Sequence, residues 1–177
     1  MMLTNITAQN VAGMRLDKPL TEEQVRRVVF DILEDNTVCS MGTVTPDGLA
    51  HLNTVYFCYS DELELYFLSH TRSTHSRNLA TNSSMAVAIY APNQQWLGPD
   101  RGLQLFGTGI QAEDTEATKA EELYTKRFSA YKNWKDAHSD EFNSGYRFYR
   151  FVVLRLKVLD EANLREALFV TAVVHRK

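Results

Sequence analysis

Five short apolar runs, over residues 37–45, 49–59, 63–69, 85–91 and 103–111, are separated by stretches rich in turn-forming residues. Runs this short and this closely spaced read as strands, because a helix needs a longer stretch with apolar residues every three or four positions. In Pro46-Asp47-Gly48 the proline presets the first corner of a tight turn and the glycine accepts positive φ. Ser60-Asp61-Glu62 makes the next reversal. Gly107 and Gly109 fall inside a run, where a side chain would obstruct a bulge or a neighbouring strand. Residues 146–159 and 168–174 add two more strands. Helical spacing occurs at Val25, Val28, Val29, Ile32 and Leu33, behind a capping box at Thr21-Glu22-Glu23-Gln24, with Asn36 as the stop. It recurs over 114–131, where Ala117, Ala120, Leu123, Tyr124 and Phe128 share a face. Residues 132–144 read as a loop and 1–20 as an N-terminal arm before a single domain over 21–177. Many strands with tight turns and few helices predict a mainly β fold with flanking helices, an antiparallel barrel rather than alternating βαβ units.

Composition narrows the function classes. The chain has 177 residues, 44% of them hydrophobic and 23% charged, with a formal net charge of −3. A nucleic-acid or anionic-membrane surface would need a basic surplus. No apolar run approaches the ~20 residues needed to span a bilayer, and no secretory leader is visible, so a cytoplasmic place is expected. Cys39 and Cys58 sit in apolar runs without CxxC spacing and read as reduced core thiols. His70 and His75 lack metal-pair spacing and no acidic or Cys cluster joins them, so no metal is expected. No Gly-x-Ser-x-Gly elbow is present, and neither Cys has an evident His partner.

The densest chemistry lies where the run over 63–69 ends. Ser69 is followed by His70 and then by Thr71, Arg72, Ser73, Thr74, His75, Ser76 and Arg77, opening a short helix that continues through Asn78-Leu79. Hydroxyls, cationic side chains and the N–H groups of a helix start together make a phosphate cradle. The same residues also suit a solvated turn whose Ser and Thr cap the helix. His51, mid-strand after Gly48, fits either a cofactor contact or an exposed barrel rim.

Four passages in this order resemble the FMN-binding split barrels of the pyridoxamine 5′-phosphate oxidase-like superfamily. They are the Gly-turn hairpin from Met41 to Phe57, the strand and polar turn from Leu65 to Leu79, the helix end and buried strand from Ala80 to Tyr90, and the Gly-containing strand from Leu103 to Glu113. The resemblance implies an antiparallel split β-barrel and an FMN-dependent oxidoreductase of unknown substrate. It assigns the FMN phosphate to Ser69, Ser73, Thr74 and His75, with Arg72 or Arg77 as added positive charge. It places His51, Leu52, Asn53, Thr54 and Val55 on the strand whose backbone faces the isoalloxazine ring. It also implies a homodimer with flavin at the interface, where Gln95, Trp96 and Gln104 would complete a partner's site.

Two departures qualify what is implied. Many relatives carry Lys where this chain has His75, which leaves F420 or haem as alternative cofactors. The passage Phe148-Tyr-Arg-Phe-Val-Val-Leu-Arg-Leu-Lys157 lacks the Arg- and Trp-containing signature of true pyridoxamine phosphate oxidases, so vitamin B6 synthesis is not implied. No acid–base residue is identifiable, and a non-enzymatic flavin-binding or stress-related module is the remaining alternative.

Overall fold

The computed structural model describes residues 1–164 and 167–176; positions 165, 166 and 177, part of the unit expected over 21–177, lie outside that description. In chain order the elements are β1 (Met2–Gln9), β2 (Arg15–Leu16), α1 (Glu22–Asp35), β3 (Val38–Val44), β4 (Ala50–Tyr59), β5 (Glu64–His70) and α2 (Thr74–Thr81). They continue with β6 (Ser84–Ile89), β7 (Arg101–Gln111), α3 (Asp114–Arg127), α4 (Tyr131–Ala137), α5 (Ser139–Gly145), β8 (Tyr146–Asp160), α6 (Glu161–Leu164) and β9 (Phe169–His175).

The strands form one antiparallel sheet in the order β2-β1-β9-β8-β5-β4-β3-β6-β7, closed by pairing of β7 with β8. Strands β8, β5, β4, β3, β6 and β7 thus make a six-stranded barrel. The long strand β8 is shared. Along one side it pairs with β7; along the other, Tyr146–Val152 face β5 and Arg155–Leu159 face β9. The split of the barrel lies at that handover. Beside it, between Phe106 and Gly107, the β7 register shifts. Gly107 is required there, because a Cβ would overlap the Val152 carbonyl.

Alternation sends Met41, Phe57, Leu65, Phe67, Val87, Leu105 and Phe151 into one core, where each is buried. Helix α1 presses Val25, Val28, Val29, Ile32 and Leu33 into the same core. Its capping box forms as the sequence predicts, with Gln24 N–H on Thr21 Oγ1 and Thr21 N–H on Gln24 Oε1 (3.2 and 2.9 Å). Burying one such aliphatic side chain contributes about 1.5–3 kcal/mol, whereas helix propensity differs by tenths per residue, so packing decides where α1 lies. Arg127 of α3 donates to Leu33 O and Asn36 O (both 2.7 Å), satisfying carbonyls that α1 leaves open at its end. Cys39 and Cys58 are buried free thiols, pushed up to about 12 by burial.

Two stretches differ from expectation. Met2–Gln9, within the expected arm, is a strand paired with β9. Its register breaks between Thr4 and Thr7 around Asn5 at φ 51°, which erases the two-residue alternation that would have marked it. Residues 132–144, expected as a loop, lie mostly in α4 and α5.

A second, smaller core lies outside the barrel, where α3 covers Cys58, Tyr66 and Phe148. At its edge Glu64, 3% exposed, receives Lys119 Nζ and Tyr66 Oη at 2.9 and 2.8 Å and a two-armed contact from Arg150. Burial alone would push this carboxyl up; hydrogen bonds from Lys119, Arg150 and Tyr66 outweigh it and hold the pKa at about 2. Removing one partner of such a group leaves uncompensated buried charge. Arg150→Met, which leaves the Glu64 carboxylate buried without its two-armed partner, should therefore lower stability by about 3–5 kcal/mol, seen as a drop in the urea midpoint. An unchanged midpoint would mean the network is dispensable.

Candidate functional site

The turn after β5 forms the predicted helix start. Ser73 is the N-cap of α2 and its Oγ accepts from Ser76 N–H (3.3 Å). Three serine hydroxyls converge: Ser69 Oγ lies 3.1 Å from Ser73 Oγ and 3.3 Å from Ser76 Oγ, with Ser73 and Ser76 2.8 Å apart. His75 Nε2 is 2.6 Å from Ser69 Oγ. Hydroxyls are rotors that both donate and accept, so this cluster can re-aim its protons at an anion without moving heavy atoms far. Helix α2 is fixed behind the cluster by Asn78, which donates to Thr43 Oγ1 (3.0 Å), and by Leu79, which occupies the space left by Gly109.

The charge at this turn does not come from His75. Burial, and then the nearby His51, lower its pKa to about 4, so the imidazole is neutral at pH 7. Arg72, Thr74 and Arg77 are exposed. The register adds a further cation, because Arg147 of β8 stands directly across from Ser69. Its guanidinium now donates to Tyr146 O (2.6 Å) and lines a cleft of about 650 Å³ beside α3 and α5, so reaching an anion at Ser69 requires a rotamer change. Among the described residues, Arg72, Arg77 and Arg147 have no carboxylate within ion-pair distance, whereas Arg101, Arg127, Arg150 and Arg176 do. Arg147 was not legible as a site residue in the sequence; only the pairing of β5 with β8 brings it here.

Strand β4 supplies the second component. Its ladder with β5 covers only Phe57, Cys58 and Tyr59, leaving residues 50–56 paired to β3 alone. Phe57 N–H bonds to Thr37 O on the β3 side. Antiparallel alternation therefore turns the backbone N–H and C=O groups of Leu52, Thr54 and Tyr56 toward the open side. His51, Asn53 and Val55 point their side chains inward, and Asn53 Oδ1 is buried with no hydrogen-bond partner.

The residues expected from the sequence separate into two groups. His51, Asn53 and Val55 lie on the inner face of β4 with Phe57, and His75 meets that same face edge-on at Phe67, the β5 partner of Phe57 (centroids 6.2 Å). Thr54 and Gln104 lie on the outer face, in one cross-strand row with Ser40 and Ala88. Trp96 is 92% exposed at the tip of the connection between β6 and β7. His70 and His75 fall on opposite sides of β5. The outer face also exposes Leu52, Tyr56, Phe106 and Leu154, an unusual apolar concentration for a single sheet face. Among the described residues no helix is long and apolar enough to cross a membrane.

Comparison with known proteins bears on this arrangement. A family model described as pyridoxamine 5′-phosphate oxidase matches residues 25–162. No curated protein matches the sequence. Among solved structures, a haem-binding protein from Mycobacterium smegmatis is similar with a TM-score of 0.63 at 19% identity, over 81% of this chain and 55% of that one. This chain therefore spans only about half the length of that protein. A protein from Clostridium acetobutylicum related to general stress protein 26 of B. subtilis gives a TM-score of 0.65 at 14% identity, over 87% and 97% of the two chains. The haem storage protein of Vibrio cholerae gives 0.58 at 16% identity, over 81% and 92%. At these identities the likeness is one of fold.

The neutral His75 has a measurable consequence. Its folded pKa lies below the ordinary 6.5, so the unfolded chain takes up its proton first as pH falls. The stability associated with a neutral His75 is fully present above pH 6.5 and is lost as pH drops through about 4. His75→Gln should flatten the dependence of the urea midpoint on pH across this window. An undiminished slope in the variant would show that another group carries it.

Proposed function

The chain belongs to the pyridoxamine 5′-phosphate oxidase family, and from that premise we propose that it is an FMN-binding, homodimeric oxidoreductase of the cytoplasm. The observation that carries this reading is the open edge of β4 beside the hydroxyl cluster. A strand edge with unpaired backbone groups, an unpartnered buried Asn53 Oδ1 and a turn carrying Arg72 and Arg77, with Arg147 across from Ser69 and none of the three ion-paired among the described residues, suit a planar ring bearing hydrogen-bonding groups and a phosphate tail. Ser69, Ser73 and Ser76 hold the phosphate with the first N–H groups of α2. Arg72, Arg77 and Arg147 neutralise its charge. Backbone groups of Leu52, Thr54 and Tyr56 orient the ring, and Asn53 supplies an acceptor from the inner face. When bound, flavin supplies the hydride or electron transfer, so no protein nucleophile is needed.

The second copy docks on the outer sheet face, where Leu52 is 71% and Tyr56 59% exposed. Gln104 and Trp96 then approach a partner's flavin rather than their own. A reading with haem in place of flavin also has support, because two structural neighbours bind or store haem. His75, held neutral, is in the state that coordinates iron, but its Nε2 is already taken by Ser69.

Purified protein titrated with FMN should bind it with quenching of flavin fluorescence and salt-sensitive affinity. Arg72→Ala combined with Ser73→Ala removes one cation and one hydroxyl and should weaken binding by roughly 10–100-fold or more. Equal affinity in the double variant would remove the turn as phosphate anchor. A Soret band in the native protein would favour haem. Separately, Leu52→Asp should convert the dimer to a monomer in light scattering, and a dimer that survives it would move the interface elsewhere.

A further inference from the structure

We propose that His70 and Gly145 are positioning residues that preset the backbone of the anion-binding turn; the proposal rests on the reading of that turn as a cofactor-phosphate site. Each of the three N–H groups between the end of β5 and the helix start has an acceptor. Thr71 N–H donates to Gly145 O (2.8 Å), Arg72 N–H to His70 Nδ1 (3.1 Å) and Ser73 N–H to His70 O (2.9 Å). The turn is therefore closed on itself up to its N-cap, and its free donors begin at α2 and the serine hydroxyls. The Arg72 contact requires His70 Nδ1 to be unprotonated, which fixes the tautomer.

The ring of His70 is held from behind. Gly145 lies so close that a Cβ at this position would overlap the imidazole. Tyr146 packs edge-on against His70 with ring centroids 5.4 Å apart at 82°. Tyr146 is in turn stacked with Phe142 (7° between planes) and met edge-on by Trp134 (82°). Helices α4 and α5 thus form an aromatic buttress whose last residue, Gly145, reaches the turn by one hydrogen bond and one ring contact. A turn fixed in advance does not have to be ordered by the ligand, which raises affinity without any new contact to it.

The test uses the full chain with two readouts: FMN titration, and amide hydrogen exchange over residues 71–73 in cofactor-free protein. His70→Phe keeps a ring but removes the acceptor. His70→Asn restores an acceptor two residues before its donor, the geometry of an Asx turn. His70→Phe should bind FMN about 10-fold more weakly, as expected for one lost hydrogen bond, with faster exchange at Arg72. His70→Asn should recover most of both. Gly145→Ala should mimic His70→Phe from the other side of the contact, and serves in its place if His70→Phe does not fold. Unchanged affinity and exchange in both disruptive variants would overturn the proposal, as would His70→Asn behaving like His70→Phe. Failure of the wild type to bind FMN would instead count against the phosphate reading, while exchange in the cofactor-free protein would still judge the positioning role.

Discussion

Backbone polar groups in a closed barrel have to be paired around the whole circumference, and here the weakest link is between β4 and β5. Of the ten residues of β4, three pair with β5, while β5 makes a seven-residue ladder with β8. The barrel closes because β8 is long enough to pair with β7 along most of its length while dividing its other side between β5 and β9. Closure is thus achieved without a full β4–β5 ladder. The unpaired groups of β4 must then face water or a ligand, since burying them alone would cost more than a net hydrogen bond contributes. This constraint leaves the gap beside the serine cluster open to water or a ligand, and the placement of α2 and its turn follows from spanning the strands around it.

Two of the concentrations of charge, at Glu64 and around Ser69, are treated differently. Glu64 is buried under Lys119, Arg150 and Tyr66, with Arg176 3.7 Å away, and these partners outweigh the desolvation of its carboxylate in a fixed structural knot. Around Ser69 the balance is left open. Arg72, Arg77 and Arg147 face no carboxylate among the described residues, and burial keeps His75 neutral instead of adding a fourth charge. An incoming dianion would find cations that need not first break an ion pair. This also gives a physical meaning to His75 in place of Lys: in that surrounding an imidazole acts as a hydrogen-bonding group, and charge has to come from the arginines.

Much of this was legible in the sequence because local chemistry decides it. Pro46-Asp47-Gly48, the Thr21 capping box and the serine N-cap each act within a few residues, and all three form as read. What escaped depends on register. Arg147 joins the turn only through its pairing with Ser69, and strand β1 was hidden by the irregularity at Asn5. The helices over 131–145 were missed because Trp134, Phe142 and Tyr146 serve one another and His70 rather than a periodic apolar stripe.

Register also separates residues that the sequence had grouped. Asn53 and Thr54 are adjacent in the chain, yet alternation sends their side chains to opposite faces of the sheet. Asn53 stands on the His51 side, while Thr54 shares an outer row with Ser40, Ala88 and Gln104. Within one copy the side chain of Gln104 therefore cannot meet the hydroxyls at Ser69, because the sheet itself lies between them. If the residues grouped by sequence work as one site, the inner group and the outer group belong to two copies. The apolar outer face around Leu52, Phe106 and Leu154 is where such copies would have to meet. The proposed association would account for both the split of the candidate residues and the exposed apolar face, since a second copy seated there would bring an outer group to an inner one.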